Sequence, residues 1–210
     1  MKSMWYLGAL LALTAAGNVS AANFCGELKN AYGPFDYRQR SANADSFLLV
    51  ESAHFTADVE NGIRGSSSTI GGDLDYTLRA IPNHHRALAT MGRLSANGKV
   101  IMVPGAKYPV ECYFDRAIRF APDDGSVRAA YGSFLYSQGK TEKAFQMFRQ
   151  AADLDPDNAA VNYNLGLAYF NKKDYDNALI HAKKAYQQGF PLPGLKTKLL
   201  AVGKWDEPAP

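Results

Sequence analysis

Two of the chain's four histidines, His84 and His85, stand side by side in the stretch IPNHHRALATMGRL. Paired imidazoles could bind a metal ion or move protons, so their spacing decides the matter. Consecutive residues of a helix point about 100° apart, and two such rings do not converge on one ion. Helical metal pairs use i, i+3 or i, i+4 spacing, as in His-Glu-x-x-His, which nothing around His84 supplies. Asp73 and Asp75 lie upstream, on what reads as a different helix. The pair therefore reads as a joint. Pro82 and Asn83 close one helix, Asn83 caps the next, which begins at His84 or His85, and one histidine packs or hydrogen-bonds at the turn. His54 and His181 are isolated and take core or surface roles. An enzyme or metal binder built on His84/His85 and the N-terminal segment is the alternative.

Other chemistries lack their residues. No Gly-x-Ser-x-Gly marks a nucleophilic serine. The carboxylates Asp73/Asp75 and Asp153/Asp155/Asp157 fall at helix ends, where solvation or capping accounts for them. RGSSSTIGG (64–72) is a Gly/Ser loop without the Gly-Lys-Ser/Thr or preceding strand of a phosphate cradle. Neither cysteine has a Cys-x-x-Cys neighbour. The sequence thus assigns no catalytic residue, no metal ligand and no cofactor.

The chain opens MKSMWYLGALLALTAAGNVSAAN, with Lys2 before an apolar run from Met4 to Ala16 and small residues through Ala22. This reads as a signal peptide over 1–22, cleaved after Ala21 or Ala22. The run is short for a bilayer span, and no later segment reaches that length, so no stable membrane insertion is expected after cleavage. Of the total formal charge of +3, cleavage removes only Lys2, leaving +2, too mild a balance for a nucleic-acid partner. Export places Cys25 and Cys112 in an oxidising space, where a disulfide between them is expected, two separate buried thiols being the other state.

The C-terminal half repeats itself. GSVRAAYGSFLYSQGKTEKAFQMFRQAADLDPDN, from Gly125, aligns with AAVNYNLGLAYFNKKDYDNALIHAKKAYQQGFPL, from Ala159, at an offset of 34 residues. Gly132 pairs with Gly166, Ala144 with Ala178 and Ala151 with Ala185. Small residues recurring at that period mark a helical repeat array. Helices are expected over 125–138 and 141–154, joined by Gly139. Gly132 falls mid-helix, where it costs about 1 kcal/mol against alanine, a cost that makes sense if another helix approaches closely there.

With Tyr131, Gly132, Ala144, Phe148, Ala151 and Pro156, then Leu165, Gly166, Tyr169, Ala178 and Ala185, the chain resembles the tetratricopeptide repeat family. The resemblance implies an all-α solenoid of helical hairpins. Phe114, Ala117, Phe120 and Pro122 extend the register one unit upstream, with Met91-Gly92 in the first helix and a six-residue excess in NGKVIMVPGAK (97–107). DLDYTLRAIPN closes a degenerate earlier unit, whose first helix is sought in 45–63, where Phe47, Val50, His54, Phe55 and Val59 recur. About three repeats plus the degenerate one are expected: a cap segment over 23–44 and an array over 45–190 (45–82, 83–122, 125–156, 159–190). A capping helix over 191–205 with Leu195, Leu199 and Val202 follows, then a tail over 206–210.

The leader, YGPFDYR, PNHHRAL and FPLPGL together resemble a group of exported bacterial tetratricopeptide proteins, which implies a periplasmic location in a Gram-negative cell. In such arrays the first helix of each unit lines a concave face that holds a peptide or helix. Carried over residue by residue, that face takes Arg86, Ala89 and Arg93, then Ser126, Ala129, Ser133 and Tyr136, then Ala160, Tyr163, Asn164, Leu167 and Phe170. Its core is Arg86, Arg93, Ser133, Tyr136, Tyr163, Asn164, Leu167 and Phe170, suited to a partner segment with an apolar stretch and an acidic residue. Tyr136, Tyr163 and Phe170 have packing between helices as their other role. Tyr32, Phe35 and Tyr37 either lie across the groove or cap the N-terminal end. The expected function is a non-enzymatic scaffold for a protein or peptide in the cell envelope.

Overall fold

The computed structural model describes residues 24–205, so the expected leader and the DEPAP tail lie outside the described residues. After a 3-10 turn, Tyr37–Gln39, come α1 (Ala44–His54), α2 (Ala57–Asn61), α3 (Ile70–Ala80), α4 (His85–Gly98) and α5 (Val110–Phe120). Then follow α6 (Gly125–Ser137), α7 (Thr141–Leu154), α8 (Ala159–Asn171), α9 (Tyr175–Gln187) and α10 (Gly194–Ala201). The described residues contain no strand. The fold is an all-α solenoid of tetratricopeptide-type hairpins.

The repeat is written in the caps as well as in the core. The side chain of Asp124 accepts the Ser126 and Val127 amides at the start of α6, and that of Asn158 accepts the Ala160 and Val161 amides at the start of α8. Each satisfies two amides that a helix start leaves without intrahelical partners. After α6 the chain turns through Gly139 at φ +74°, and after α8 through Lys173 at φ +62°, 34 residues on. A β-carbon added to Gly132 would lie 2.7 Å from the Phe148 ring, and one on Gly166 would lie 2.6 Å from Leu195 Cδ2. These are the close approaches that the mid-helix glycines foretold: α7 closes on α6, and α10 closes on α8.

Helices α4, α6 and α8 pack successively side by side. The main core joins Leu88 and Met91 of α4, Val110, Phe114 and Ala117 of α5, and Val127 and Phe134 of α6. It also takes Val103 and Ala106 from the insertion, so that segment is anchored rather than loose. The insertion begins one residue past Gly98, because α4 runs through Asn97 and Gly98. At the far end, Leu195 and Leu199 are fully buried over Tyr163, Ala178, Ala182 and Ala185. Val202 falls outside α10 and is exposed, so two residues seal that face, not three.

The N-terminal region departs from the expected pattern. The segment 45–63 is two helices, α1 and α2, broken at Phe55-Thr56. Tyr32, Phe35 and Tyr37 do not cross a groove; they pack on Phe47, Val50, Ala80 and Ile81, with the Phe35 amide donating to the Ala80 carbonyl. Cys25 and Cys112 form the expected disulfide, which ties this arm to α5. Arg116 Nη1 donates to the Cys25 carbonyl at 3.3 Å and to that of Glu27, adding a second tie.

Candidate functional site

At the joint, both ring nitrogens of His84 are engaged within the chain. His84, not Asn83, caps α4: its Nδ1 accepts the Ala87 amide at 3.2 Å. Its Nε2 lies 3.1 Å from Glu51 Oε1, so both ring nitrogens are used. The ring is fully buried between Tyr37, at 4.2 Å, and Phe55, at 4.5 Å. Burial lowers its pKa, against the opposing pull of Glu51. His85 sits edge-on to Tyr37, its pKa also lowered by burial. Asn83 is instead the knot beside the cap. It accepts the Tyr37 amide at 2.8 Å and donates to Asp36 at 2.7 Å and Asp124 at 2.9 Å. No group of three or more His, Cys, Asp or Glu able to hold a metal occurs among the described residues.

The carboxylates expected at solvated helix ends are partly interior. Asp75 lies in the second turn of α3, is buried, and accepts from the Tyr113 hydroxyl, the Lys107 amide and Arg79. Asp73, fully buried, accepts the amides of Ser66, Ser67 and Ser68 and faces His54 Nδ1 at 3.0 Å. The Gly/Ser loop does cradle an anion, and the anion is the chain's own Asp73. Ile70, Gly71 and Gly72 belong to α3, which Thr69 caps through the Gly72 amide.

The groove runs along α4, α6 and α8, the first helices of the hairpins. Two concavities meet at Ser133. One, about 250 Å³, lies between α4 and α6 and is lined by Ala89, Gly92, Arg93, Ala96, Asn97, Ala130, Ser133, Phe134 and Ser137. The other, about 320 Å³, is lined by Ser133, Tyr136, Phe148, Asn164, Leu167, Ala168, Asn171 and Lys198. Neither lining contains a carboxylate. Arg93 stands at one end and Lys198, 5.6 Å above the Phe170 ring, at the other. Asn171 Nδ2 donates to the Tyr136 hydroxyl at 2.9 Å across the second concavity.

Of the residues expected here, Arg93, Ser133, Tyr136, Asn164 and Leu167 line the groove. Arg86, Tyr163 and Phe170 line neither concavity. Arg86 pairs with Glu60 of α2 and lies over Phe55. Arg93 also turns to α2, donating to the carbonyls of Asn61, at 3.3 Å, and Glu60. Tyr163 is buried under the cap, stacked on Phe190 at 4.2 Å. Phe170 packs at the edge against Tyr175 and beneath Lys198. Sequence reasoning missed Asn97, Asn171 and Lys198. Asn171 continues the stripe of Asn164 and Leu167 at helical spacing, a signal that could have found it. Lys198 comes from the cap, which no repeat register covers.

Family models for tetratricopeptide repeats match residues 132–173 and 159–188. Among solved structures, pilF of Pseudomonas aeruginosa is similar at 19% identity and a TM-score of 0.52, over 79% of this chain and 71% of that one. MamA of MSR-1 is similar at 16% identity and a TM-score of 0.39, over 72% of this chain and 90% of that one. No curated protein matches the chain.

Proposed function

We propose, from the premise that this chain is a tetratricopeptide-repeat protein, that it is a periplasmic scaffold whose concave groove holds an extended partner segment. Tetratricopeptide repeats build protein-interaction surfaces; the partner's chemistry and the envelope location are the finer reading. The observation that carries it is the joined pair of concavities, free of carboxylates and bounded by Arg93 and Lys198. Small side chains at Ala89, Gly92, Ala130 and Ser133 leave room for a backbone, while Leu167, Phe134 and Phe148 offer apolar contact. A segment with apolar side chains and an acidic group meets both features, with the cations supplying charge-assisted hydrogen bonds. The disulfide supports a site of action in an oxidising compartment. No helix among the described residues is long and apolar enough to cross a membrane.

The test uses a panel of fluorescein-labelled peptides, apolar with either an acidic or a basic residue, and fluorescence polarisation against the protein. Acidic apolar peptides are expected to bind, and Ser133→Trp or Lys198→Glu to weaken them at least tenfold with an unchanged melting temperature. Equal binding of basic and acidic peptides, or indifference to both substitutions, would falsify the groove assignment.

A further inference from the structure

A third concavity of about 450 Å³ lies between α7 and α9 and over α8, and shares no lining residue with the groove. We propose that it is a distinct binding site for a small, polar oxyanion, a molecule bearing phosphoryl or carboxylate groups. The volume is within the ordinary range of small-molecule sites.

The lining is unlike the groove. Arg149 and Asp153 come from α7, Asn162 and Tyr169 from α8, and His181 and Lys184 from α9. Arg149 and Lys184 are exposed at the rim. Among the described residues, Lys172 pairs with Glu142 and Lys204 with Asp176. No described carboxylate comes within ion-pair distance of Arg149 or Lys184, not even Asp153 one turn from Arg149. Two cations thus face one cleft uncompensated, with Asp153 the single opposing charge.

The floor is built rather than incidental. Asn162 is buried, and its Nδ2 donates to the Pro156 carbonyl at 2.7 Å and the Asn158 carbonyl at 3.0 Å. Its Oδ1 is therefore the acceptor that faces His181 Nδ1 at 3.0 Å. That contact makes Nδ1 the protonated nitrogen of a neutral His181. Nε2 has no hydrogen-bond partner among the described residues, on a ring that lines the cleft and stacks with Tyr169 at 5.5 Å. One repeat earlier, Arg128 stands at the position of Asn162 and Met147 at that of His181. A short amide thus takes the place of a long arginine in this unit. An oxyanion between Arg149 and Lys184 would take charge-assisted hydrogen bonds from both, and one from Nε2 once His181 is protonated.

Burial, and Lys184 after it, hold the His181 pKa below its ordinary value. A bound oxyanion opposes both, so ligation raises that pKa. Groups lining the cleft with the ring are Arg149 and Asp153 on α7, Tyr169 on α8 and Lys184 on α9; of these Lys184 disfavours the imidazolium.

Citrate and glycerol 3-phosphate, titrated separately into the full chain and followed by NMR of the four histidine rings, test the proposal. The expected result is a saturable shift of the His181 resonance with one or both probes and a raised His181 pKa in the complex. Arg149→Ala/Lys184→Ala should weaken binding at least tenfold, and Asp153→Asn should tighten it. Response to glycerol 3-phosphate alone identifies a phosphoryl ligand, and to citrate alone a polycarboxylate. No saturable shift with either probe, or binding by the double variant within twofold of the parent, overturns it. The groove peptides provide an independent readout: none of these residues lines the groove, so peptide binding is expected to be unchanged by these substitutions, and failure here leaves the groove reading standing.

Discussion

Glu51 on α1 and His84 at the start of α4 share one hydrogen bond, 3.1 Å between Oε1 and Nε2, and the other nitrogen of that imidazole caps α4. The cap works only while Nδ1 keeps its lone pair. A second proton on the ring would set an N–H against the Ala87 N–H and end the cap.

Acid should therefore loosen this joint in two stages. Burial holds the folded His84 pKa below the ordinary 6.5, so below about 6.5 the unfolded chain binds more protons than the folded one. Stability rises with pH in that window and is lost on acidification. His85 and His181, lowered in the same direction by burial, add to the loss. Burial pushes the Glu51 carboxyl up, but hydrogen bonds from His84 and Arg40 outweigh it and hold the pKa at about 2, against 4.5 in the unfolded chain. Its contribution is present above pH 4.5 and is lost as pH falls toward 2. The check is the melting temperature against pH for the parent and His84→Asn, which keeps a capping side chain but does not titrate. The variant should lose less between pH 7 and 5; an identical slope would remove His84 as the titrating group.

Gly132 carries a packing role that a propensity argument alone gets backwards. Alanine in mid-helix favours the helix by about 1 kcal/mol over glycine. Here the added carbon would sit 2.7 Å from the Phe148 ring, which is itself buried between helices. Overpacking of this kind costs about 1–3 kcal/mol. Gly132→Ala is expected to destabilise by urea denaturation, and Gly132→Ala with Phe148→Leu to recover part of the loss. Stabilisation by the single change would show that the ring is not confined.

The hairpins from Gly125 onward were legible because packing and capping both recur at the repeat distance. Gly132 and Gly166, like Asp124 and Asn158, occupy equivalent positions and do equivalent work. The N-terminal third was not, because its order comes from pairings that no period encodes. Asn83 finds Asp36 and Tyr37 at the 3-10 turn and Asp124 at the start of α6. Arg86 and Arg93 lie on the helix that the register assigns to the groove, yet α2 reaches both first through Glu60 and Asn61. The groove's inner positions followed from helix spacing, whereas Lys198 entered through the cap, whose placement depends on Leu195 closing on Gly166.

The Cys25–Cys112 disulfide spans 87 residues of sequence. Closing a loop of that length constrains the unfolded chain by about 4–5 kcal/mol in the chain-entropy model. Cys25→Ser/Cys112→Ser should therefore lower the urea midpoint substantially while leaving the α6–α9 hairpins folded. Hydrogen exchange locates the effect: faster exchange is expected at 35–37 and α3, and little change in α8 and α9. Uniform acceleration along the chain would mean that the arm stabilises the whole array and not its first units.

Asn83 offers the sharpest contrast between two near-isosteric changes. Its amide donates to two carboxylates, Asp36 and Asp124, and its carbonyl accepts the Tyr37 amide. The hydrogen bond from Arg38, with that from Asn83, holds Asp36 at about 2 despite partial burial, so it is charged at neutral pH. Asn83→Ala removes three partners from a buried site, at a cost of about 1–3 kcal/mol. Asn83→Asp keeps the acceptor for Tyr37 but sets a third carboxylate against the other two, so it should destabilise more than alanine. Asp124 also caps α6, which means the aspartate variant should speed exchange at the Ser126 and Val127 amides as well as at Tyr37. If aspartate is tolerated as well as alanine, the amide is not donating to both carboxylates, and the joint between the N-terminal arm, α4 and α6 is held by some other contact.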